Sequence, residues 1–530
     1  MSHTKLSQTR GIARKLWMGL WVALLVLGVG FRFYHLDYKV YWIDEVNTTL
    51  RSLGYTTREV EATLFTGLPF RAADLQAFQQ PQAERGWAAT WRSLTGSAEH
   101  APLYFLLSRQ WVAWFGSTVA TWRSVAAILS LCLFPAVYWF CWELFRQPGP
   151  GWVAIAWVAV SPLHILYAQE ARPYSLLAVM TAVSSASLLA ALRTQRWGYW
   201  GFYGVTVVIG LYSQLLFGLV AIAHLLYLVL TEKLIPEKGY ASAALRRYGI
   251  VSLGAIAAFS PWLWVLGSNL ATVQRKTASL AADRYAVSDL IDRWFLVLNQ
   301  MLIDWELAGW NILLVVGAIA AGVILIRHAP RRAWLLLGLL GGVSFLALAI
   351  PDVVLGGARS LRVRYLFPSA LCLHITLAFA FACAIPSQKL SHRWIQVLLV
   401  GLLCLQIASG VITSQTLVWW NKSRPRSSYY QPTAALINQD GRSLIFTQSK
   451  VSDLLAWSYW LAPNISLQYL PTTKLPPRLT RNRLPNRPLY LHEGSADLVA
   501  ALRAEGHILT PVYPANNASN PMLWRIEPGV

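Results

Sequence analysis

The sequence predicts an all-α polytopic membrane protein of about 11 transmembrane helices, with interfacial helices in its first outer loop and a small extracytoplasmic α/β domain at the C-terminus. Three observations carry that expectation. The 530 residues are 55% hydrophobic and only 13% charged, about half the charged fraction of an ordinary soluble domain. Apolar runs of about 18 or more residues recur along the chain, each long enough to cross a bilayer core. Beyond about residue 419 the composition turns to Pro, Asn and Arg, and the apolar stretches shorten to Leu444-Ile445-Phe446 and Leu489-Tyr490-Leu491, which read as strands among helices.

Taken in order, the first span is expected at 16–34, behind Lys5, Arg10, Arg14 and Lys15. Its apolar run is too long for the core of a cleaved signal, and no small-residue cleavage site follows, so it reads as a signal anchor. Further spans are expected at 121–145, 152–169, 173–192, 198–216, 218–231, 249–268, 309–327, 333–350, 363–385 and 394–418. With the N-terminus in the cytoplasm, the inner segments hold 16 Lys and Arg residues, including Arg146, Arg193, Arg247, Arg327, Arg331 and Arg332. The acids among them are Glu143, Glu232 and Glu237. This is the positive-inside asymmetry of a plasma (inner) membrane protein, and an odd number of spans puts the C-terminus outside. The formal net charge of +21 is thereby explained without a nucleic-acid partner. The 26 Trp and 22 Tyr residues suit the aromatic belts at the two interfaces.

Residues 102–116 are short for a span and carry Arg109, and counting them as one would invert every later loop against the charge rule. They read as an amphipathic helix on the membrane surface. The first outer loop, 35–120, then holds several such helices, one of them opened by the capping box Thr56-Thr57-Arg58-Glu59. The expected division is a transmembrane catalytic domain at 1–418 and an extracytoplasmic α/β domain at 419–530. The cysteines Cys132, Cys141, Cys372, Cys383 and Cys404 fall in apolar spans without metal-binding spacing, and read as small core residues. No Gly-rich nucleotide loop or internal repeat is present, which argues against an ATP-driven pump.

Four groups of residues have chemistry to offer. Asp44 and Glu45 follow the first span; a carboxylate pair at a membrane face needs cations, water or a chemical task, and suits a general base or a metal ligand. An ion-paired interfacial group is the plainer alternative. Glu170 and Arg172 lie in the corner Tyr167-Ala168-Gln169-Glu170-Ala171-Arg172-Pro173-Tyr174, on the same expected face as Asp44, where a structural Glu–Arg pair is the alternative. His164, further back, reads as a buried, satisfied histidine. Arg359, Arg362 and Arg364 open the tenth span from outside, where the positive-inside rule does not explain them; bidentate guanidinium donors suit a phosphate, and snorkelling to headgroups is the alternative. His100 stands before the interfacial helix as a substrate or metal contact, although a lone loop histidine is more often neither.

In this order and spacing, Trp42-Ile43-Asp44-Glu45, His100-Ala101-Pro102-Leu103-Tyr104, Trp122-Arg123-Ser124 and Ser161-Pro162-Leu163-His164 through Tyr174 resemble the multi-spanning glycosyltransferases of the GT-C fold. The likeness is to the protein-mannosyltransferase and aminoarabinose-transferase type, families 39 and 83, with their RgtA/B/C/D-like bacterial relatives. It covers residues 10–230 well, the later spans loosely and the tail hardly at all. The resemblance implies inverting transfer of a sugar from a polyprenyl-phosphate carrier to an acceptor lipid, glycan or protein on the outer face. Asp44 would be the base, with Glu45 and Glu170 as further catalytic carboxylates. His100, Arg123, Arg172, Tyr174, Arg359, Arg362, Arg364 and Tyr365 would hold the substrate or the lipid phosphate. A divalent cation, Mg or Mn, is a candidate cofactor, with Asp44 and Glu170 as its candidate ligands. Two departures stand out: Ala101-Pro102 replaces the common Pro-Pro, and Tyr212-Ser213-Gln214 replaces a frequent histidine. A lipid-linked sugar flippase or small-molecule transporter is the rival reading, set back by the placement of the charges at the outer edge rather than at the midplane.

Overall fold

Long apolar sequence becomes long helix throughout the first four-fifths of the chain. A computed structural model describes residues 2–234, 240–278, 283–305, 308–385, 390–472, 475, 479, 487–513 and 521–528. Of the expected inner charges, the side chains of Lys5, Arg10, Arg14, Glu232, Lys233, Glu237, Lys238 and Lys389 lie outside the described ones. Among the described residues eight helices are long and apolar enough to cross a membrane, or nine if the bent pair Pro148–Val160 and Pro162–Ala168 forms one span. The chain is a multi-pass membrane protein. The other two expected spans fold as Trp197–Ser213, only 17 residues, and Phe217–Leu234, whose apolar part ends at Thr231. At 1.5 Å per residue such lengths fall short of a hydrocarbon layer of about 30 Å, so the count of 11 is not established.

The chain divides into two units. One comprises residues 1–36, 97–107 and 123–415; the other comprises 37–96, 108–122 and 416–530. Residues 37–96 and 108–122 thus share a unit with 416–530.

In the first unit the innermost helices are Tyr174–Thr194, 89% buried, and Phe367–Ala384, 78% buried, whereas Gly309–His328 is only 17% buried. Small residues explain the first: Ala182, Ser184, Ser185, Ala186, Ser187, Ala190 and Ala191 are all buried, and they let neighbouring backbones approach closely. Three of the five cysteines, Cys132, Cys383 and Cys404, are exposed on their helices rather than in the core; all five are free thiols.

Helix Pro148–Val160 breaks at Ser161-Pro162 by 58°. Pro162 has no N–H to offer Val158, and the bend leaves Ala159 without a continuing turn. The buried Arg32 guanidinium fills that gap, donating to Val158 O at 3.0 Å, Ala159 O at 2.7 Å and Gly28 O at 2.7 Å, and through Nε to Ser130 Oγ at 3.1 Å. A cation inside an apolar bundle is thus held by backbone carbonyls. It stabilises the bend from which the corner at 169–173 follows.

The second unit is built on a six-stranded sheet. Its strands are β1 (Phe70–Arg71), β2 (Leu444–Thr447), β3 (Ser466–Tyr469), β4 (Leu489–His492), β5 (His507–Tyr513) and β6 (Leu523–Pro528), in the order β1-β3-β2-β4-β6-β5. The centre, β3-β2-β4, is parallel, and the edges are antiparallel. Both β2 and β4 are buried along their whole length, as continuous apolar runs in a covered parallel sheet should be. Alternation sends Leu444, Phe446, Leu489 and Leu491 into a core with Leu498 and Leu502 of helix Ala496–Ala504. β1 comes from the loop at 35–120, pairing Phe70 with Leu467. The loop also forms helix Thr57–Leu64, whose capping box is present: Glu59 N donates to Thr56 Oγ1 at 3.2 Å and Thr56 N to Glu59 Oε2 at 2.8 Å. Helix Leu103–Phe115 is the expected short one and is not among the candidate spans.

Candidate active site

Each unit carries part of the expected site. In the second unit, Tyr41-Trp42 is extended chain and helix Ile43–Leu53 begins directly behind it, with Asp44 and Glu45 in its first turn. That places both carboxylates at the positive end of the helix dipole, which favours their ionised form. The two then part company. Asp44 is half-buried, while Glu45 is fully buried and accepts a hydrogen bond at 2.7 Å from Lys422 Nζ, itself fully buried. The helix start is tied to its surroundings at several further points. Val40 N donates to Leu417 O at 3.1 Å, Lys39 Nζ to Thr416 O at 3.1 Å, and Ser452 Oγ to Asn47 Oδ1 at 3.3 Å. Tyr41 shares a 2.6 Å hydroxyl contact with Thr49 and packs edge-on against Tyr459.

In the first unit the corner after the broken helix is held by Gln169, whose amide donates to Phe31 O at 2.7 Å and Tyr34 O at 2.8 Å. Glu170 and Arg172 are buried. Arg172 N donates to Glu170 O at 2.7 Å, and the Arg172 guanidinium lies 5.8 Å from the centre of the Tyr174 ring, a cation–π distance. Tyr174 packs with Tyr167 and Phe367, and Tyr167 with Phe367 in turn. This aromatic group joins the corner to the start of helix Phe367–Ala384, and the turn just before it, Val363–Tyr365, carries Arg364 and Tyr365. The Arg364 guanidinium sits 5.5 Å from the Tyr365 ring, and Arg362 is exposed.

The other expected site residues have the following partners. Arg359 pairs at 2.9 Å with the buried Asp352, which also accepts from Ser360 N at 2.6 Å and Ser360 Oγ at 2.7 Å. Arg123 is fully buried and donates to Leu36 O at 2.7 Å. His100 lies 3.8 Å from Glu99, and Glu99 accepts from Lys276 Nζ at 3.1 Å. His164 is buried and shares a 3.3 Å contact with His374 Nδ1, as a satisfied core histidine should. Tyr212 donates to Ala258 O at 2.9 Å.

Two residues escaped the sequence reading: Lys422 and Asp352. Lys422 carried a usable signal, a basic residue behind Trp419-Trp420 at the end of a span expected to face outward, where the positive-inside rule gives no reason for it. Asp352 carried another, an acid in a span end shortly before an arginine cluster. As to Mg or Mn, among the described residues no group of three His, Cys, Asp or Glu side chains is disposed to hold a metal ion. Of the candidate ligands, Asp44 lies in the second unit and Glu170 in the first.

A family model described as dolichyl-phosphate-mannose-protein mannosyltransferase matches residues 99–265. No curated protein sequence matches significantly. Among solved structures, ArnT from Cupriavidus metallidurans bound to undecaprenyl phosphate is similar over 96% of this chain and 98% of its own, with 12% identity and a TM-score of 0.54. The same protein in the apo state matches over 97% and 98%, with 12% identity and a TM-score of 0.52. The oligosaccharyltransferase AglB from Archaeoglobus fulgidus, in complex with an inhibitory peptide and a dolichol-phosphate, reaches a TM-score of 0.46 over 85% and 64%, at 10% identity. The fold is that of the ArnT structures, the GT-C fold.

Proposed function

We propose that this chain is a membrane glycosyltransferase that moves a sugar from a polyprenyl-phosphate carrier to an acceptor lipid, glycan or protein on the outer face of the plasma membrane. The observation that carries the reading is the likeness to ArnT, which spans nearly the whole of both chains; the mannosyltransferase model over residues 99–265 points the same way. The N-terminus is cytoplasmic, and the reaction side and residues 419–530 are extracytoplasmic, in keeping with the basic inner loops.

Asp44 is the general base. It is the half-buried member of the acidic pair, at a helix N-terminus that favours a carboxylate. It removes the proton of the acceptor hydroxyl as that oxygen attacks the anomeric carbon. The bond from that carbon to the phosphate oxygen breaks on the opposite side, the configuration inverts, and the lipid phosphate leaves with both bonding electrons. The leaving group is weakly basic, so its charge needs stabilising more than its oxygen needs a proton. Arg172, Arg362 and Arg364 supply that charge, with Tyr174 and Tyr365 orienting two of the guanidinium groups. His100 contacts the substrate. Glu170 orients the acceptor, while Arg123 and Arg359 hold the frame.

The test is transfer by purified protein from a panel of radiolabelled undecaprenyl-phosphate sugars to extracted envelope acceptors. Label should enter an acceptor with the wild type and not with Asp44→Asn. Equal transfer by Asp44→Asn would remove the base assignment. Donors left unconsumed in the presence of native acceptors would turn the reading towards carrier transport.

A further inference from the structure

Glu45 and Lys422 stand 377 positions apart in sequence and form an ion pair at 2.7 Å in which both side chains are wholly buried. Two desolvated charges are costly to bury, and such a pair often stabilises a fold no more than apolar residues of the same size would. The best-attested use of buried ion pairs is to fix one arrangement among several. Here the arrangement in question is the first turn of helix Ile43–Leu53, whose second residue is Asp44.

Lys422 is itself rigidly placed. It ends the single turn Trp420–Lys422, the next residue Ser423 adopts a left-handed backbone at φ 55°, and Ser427 Oγ donates to Lys422 O at 2.6 Å. The neighbouring ties all run from the same C-terminal segment to the same stretch of chain: Leu417 to Val40, Thr416 to Lys39, Ser452 to Asn47 and Tyr459 to Tyr41. Lys422 acts on the residue next to Asp44.

We propose that Lys422 is a positioning residue for sugar transfer, holding Glu45 so that the adjacent Asp44 carboxylate meets the acceptor hydroxyl in a productive geometry. The proposal rests on Asp44 being the base. It gives the C-terminal segment a part in the reaction, and it makes Glu45 a structural partner rather than a second base.

The experiment compares full-length Lys422→Met, Lys422→Arg, Glu45→Gln and the double variant Glu45→Gln/Lys422→Met with wild type and Asp44→Asn. The substrates are the undecaprenyl-phosphate sugar panel with envelope acceptors, and melting temperature is recorded for each protein. Lys422→Met removes the cation from a buried carboxylate and should melt lower. The double variant removes both charges and should recover the melting temperature. Its kcat should nevertheless remain down by about 10²-fold, the scale of a misplacement near 1 Å, with KM for the donor within about twofold. Lys422→Arg, which keeps the charge, should transfer faster than Lys422→Met. A double variant that turns over at the wild-type rate would overturn the proposal, as would a wild-type rate in Lys422→Met. Transfer by Asp44→Asn is the separate sign that the underlying reading has failed.

Discussion

The guanidinium of Arg32 donates to the carbonyl of Ala159 at 2.7 Å, and Gly28 is what allows the two helices to come so close. A Cβ on Gly28 would stand 2.3 Å from that same carbonyl oxygen, whereas one on Gly30 would meet nothing within 4 Å. Gly28→Ala should therefore push the first helix off the bend and lower the melting temperature of the detergent-solubilised protein, while Gly30→Ala leaves it unchanged. Equal melting of the two variants would count against the close approach.

Arg32→Met tests the other half of that relationship. It strands the Val158 and Ala159 carbonyls freed by Pro162, and each buried group left without a partner costs about 1–3 kcal/mol. The loss should be several times that of an outward substitution such as Arg331→Met, read from denaturant unfolding of the full chain. A comparable loss in both would mean that other groups take over the carbonyls.

How much of this was legible beforehand follows from how local each signal is. Most span positions, the Thr56–Glu59 capping box and the strands at Leu444 and Leu489 were readable, because hydropathy, capping and apolar runs act within about one helix or strand length. The two-residue strand β1 was not, because Phe70-Arg71 becomes a strand only by pairing with Leu467 and Ser466, far along the chain. Lys422 was passed over for the same reason: nothing near residue 45 announces a partner in the tail. Arg359 shows the converse. Its position in an arginine cluster pointed to phosphate, yet its nearest charged partner is a carboxylate seven residues before it.

Asp352 and Arg362 should separate along that line. Asp352 accepts three hydrogen bonds that fix the turn at Arg359-Ser360, so Asp352→Ala should cost about 1–3 kcal/mol, as leaving the buried Ser360 donors without a partner does. Arg362 is exposed, and Arg362→Gln should leave the melting temperature within about one degree of wild type, since surface changes seldom cost more than ±0.5 kcal/mol. Its effect should fall instead on kcat/KM for the undecaprenyl-phosphate donor. Arg362→Gln with unchanged donor kinetics would remove Arg362 from the phosphate contacts.

The C-terminal α/β fold should lose stability in mild acid through His492. Burial holds the His492 imidazole down at about 3, with Asp453 pulling weakly the other way; the ring is stacked on Trp457 at 4.1 Å, and its Nδ1 contacts Thr447 Oγ1 at 3.2 Å. An unfolded chain would protonate this histidine near pH 6.5. Below that pH the unfolded state binds a proton that the folded state refuses. Its stabilising contribution is therefore complete above about pH 6.5 and declines as the pH falls towards 3, by up to about 1.4 kcal/mol per pH unit. Asp453, raised chiefly by its own burial, has the opposite sign, adding stability as the pH falls towards its unfolded range. The comparison of wild type with His492→Gln isolates the histidine's share. Hydrogen exchange of 444–447 and 489–492, corrected for intrinsic rates, should accelerate over that interval in the wild type and stay nearly flat in His492→Gln. The same acceleration in both proteins would assign the acid sensitivity to another group.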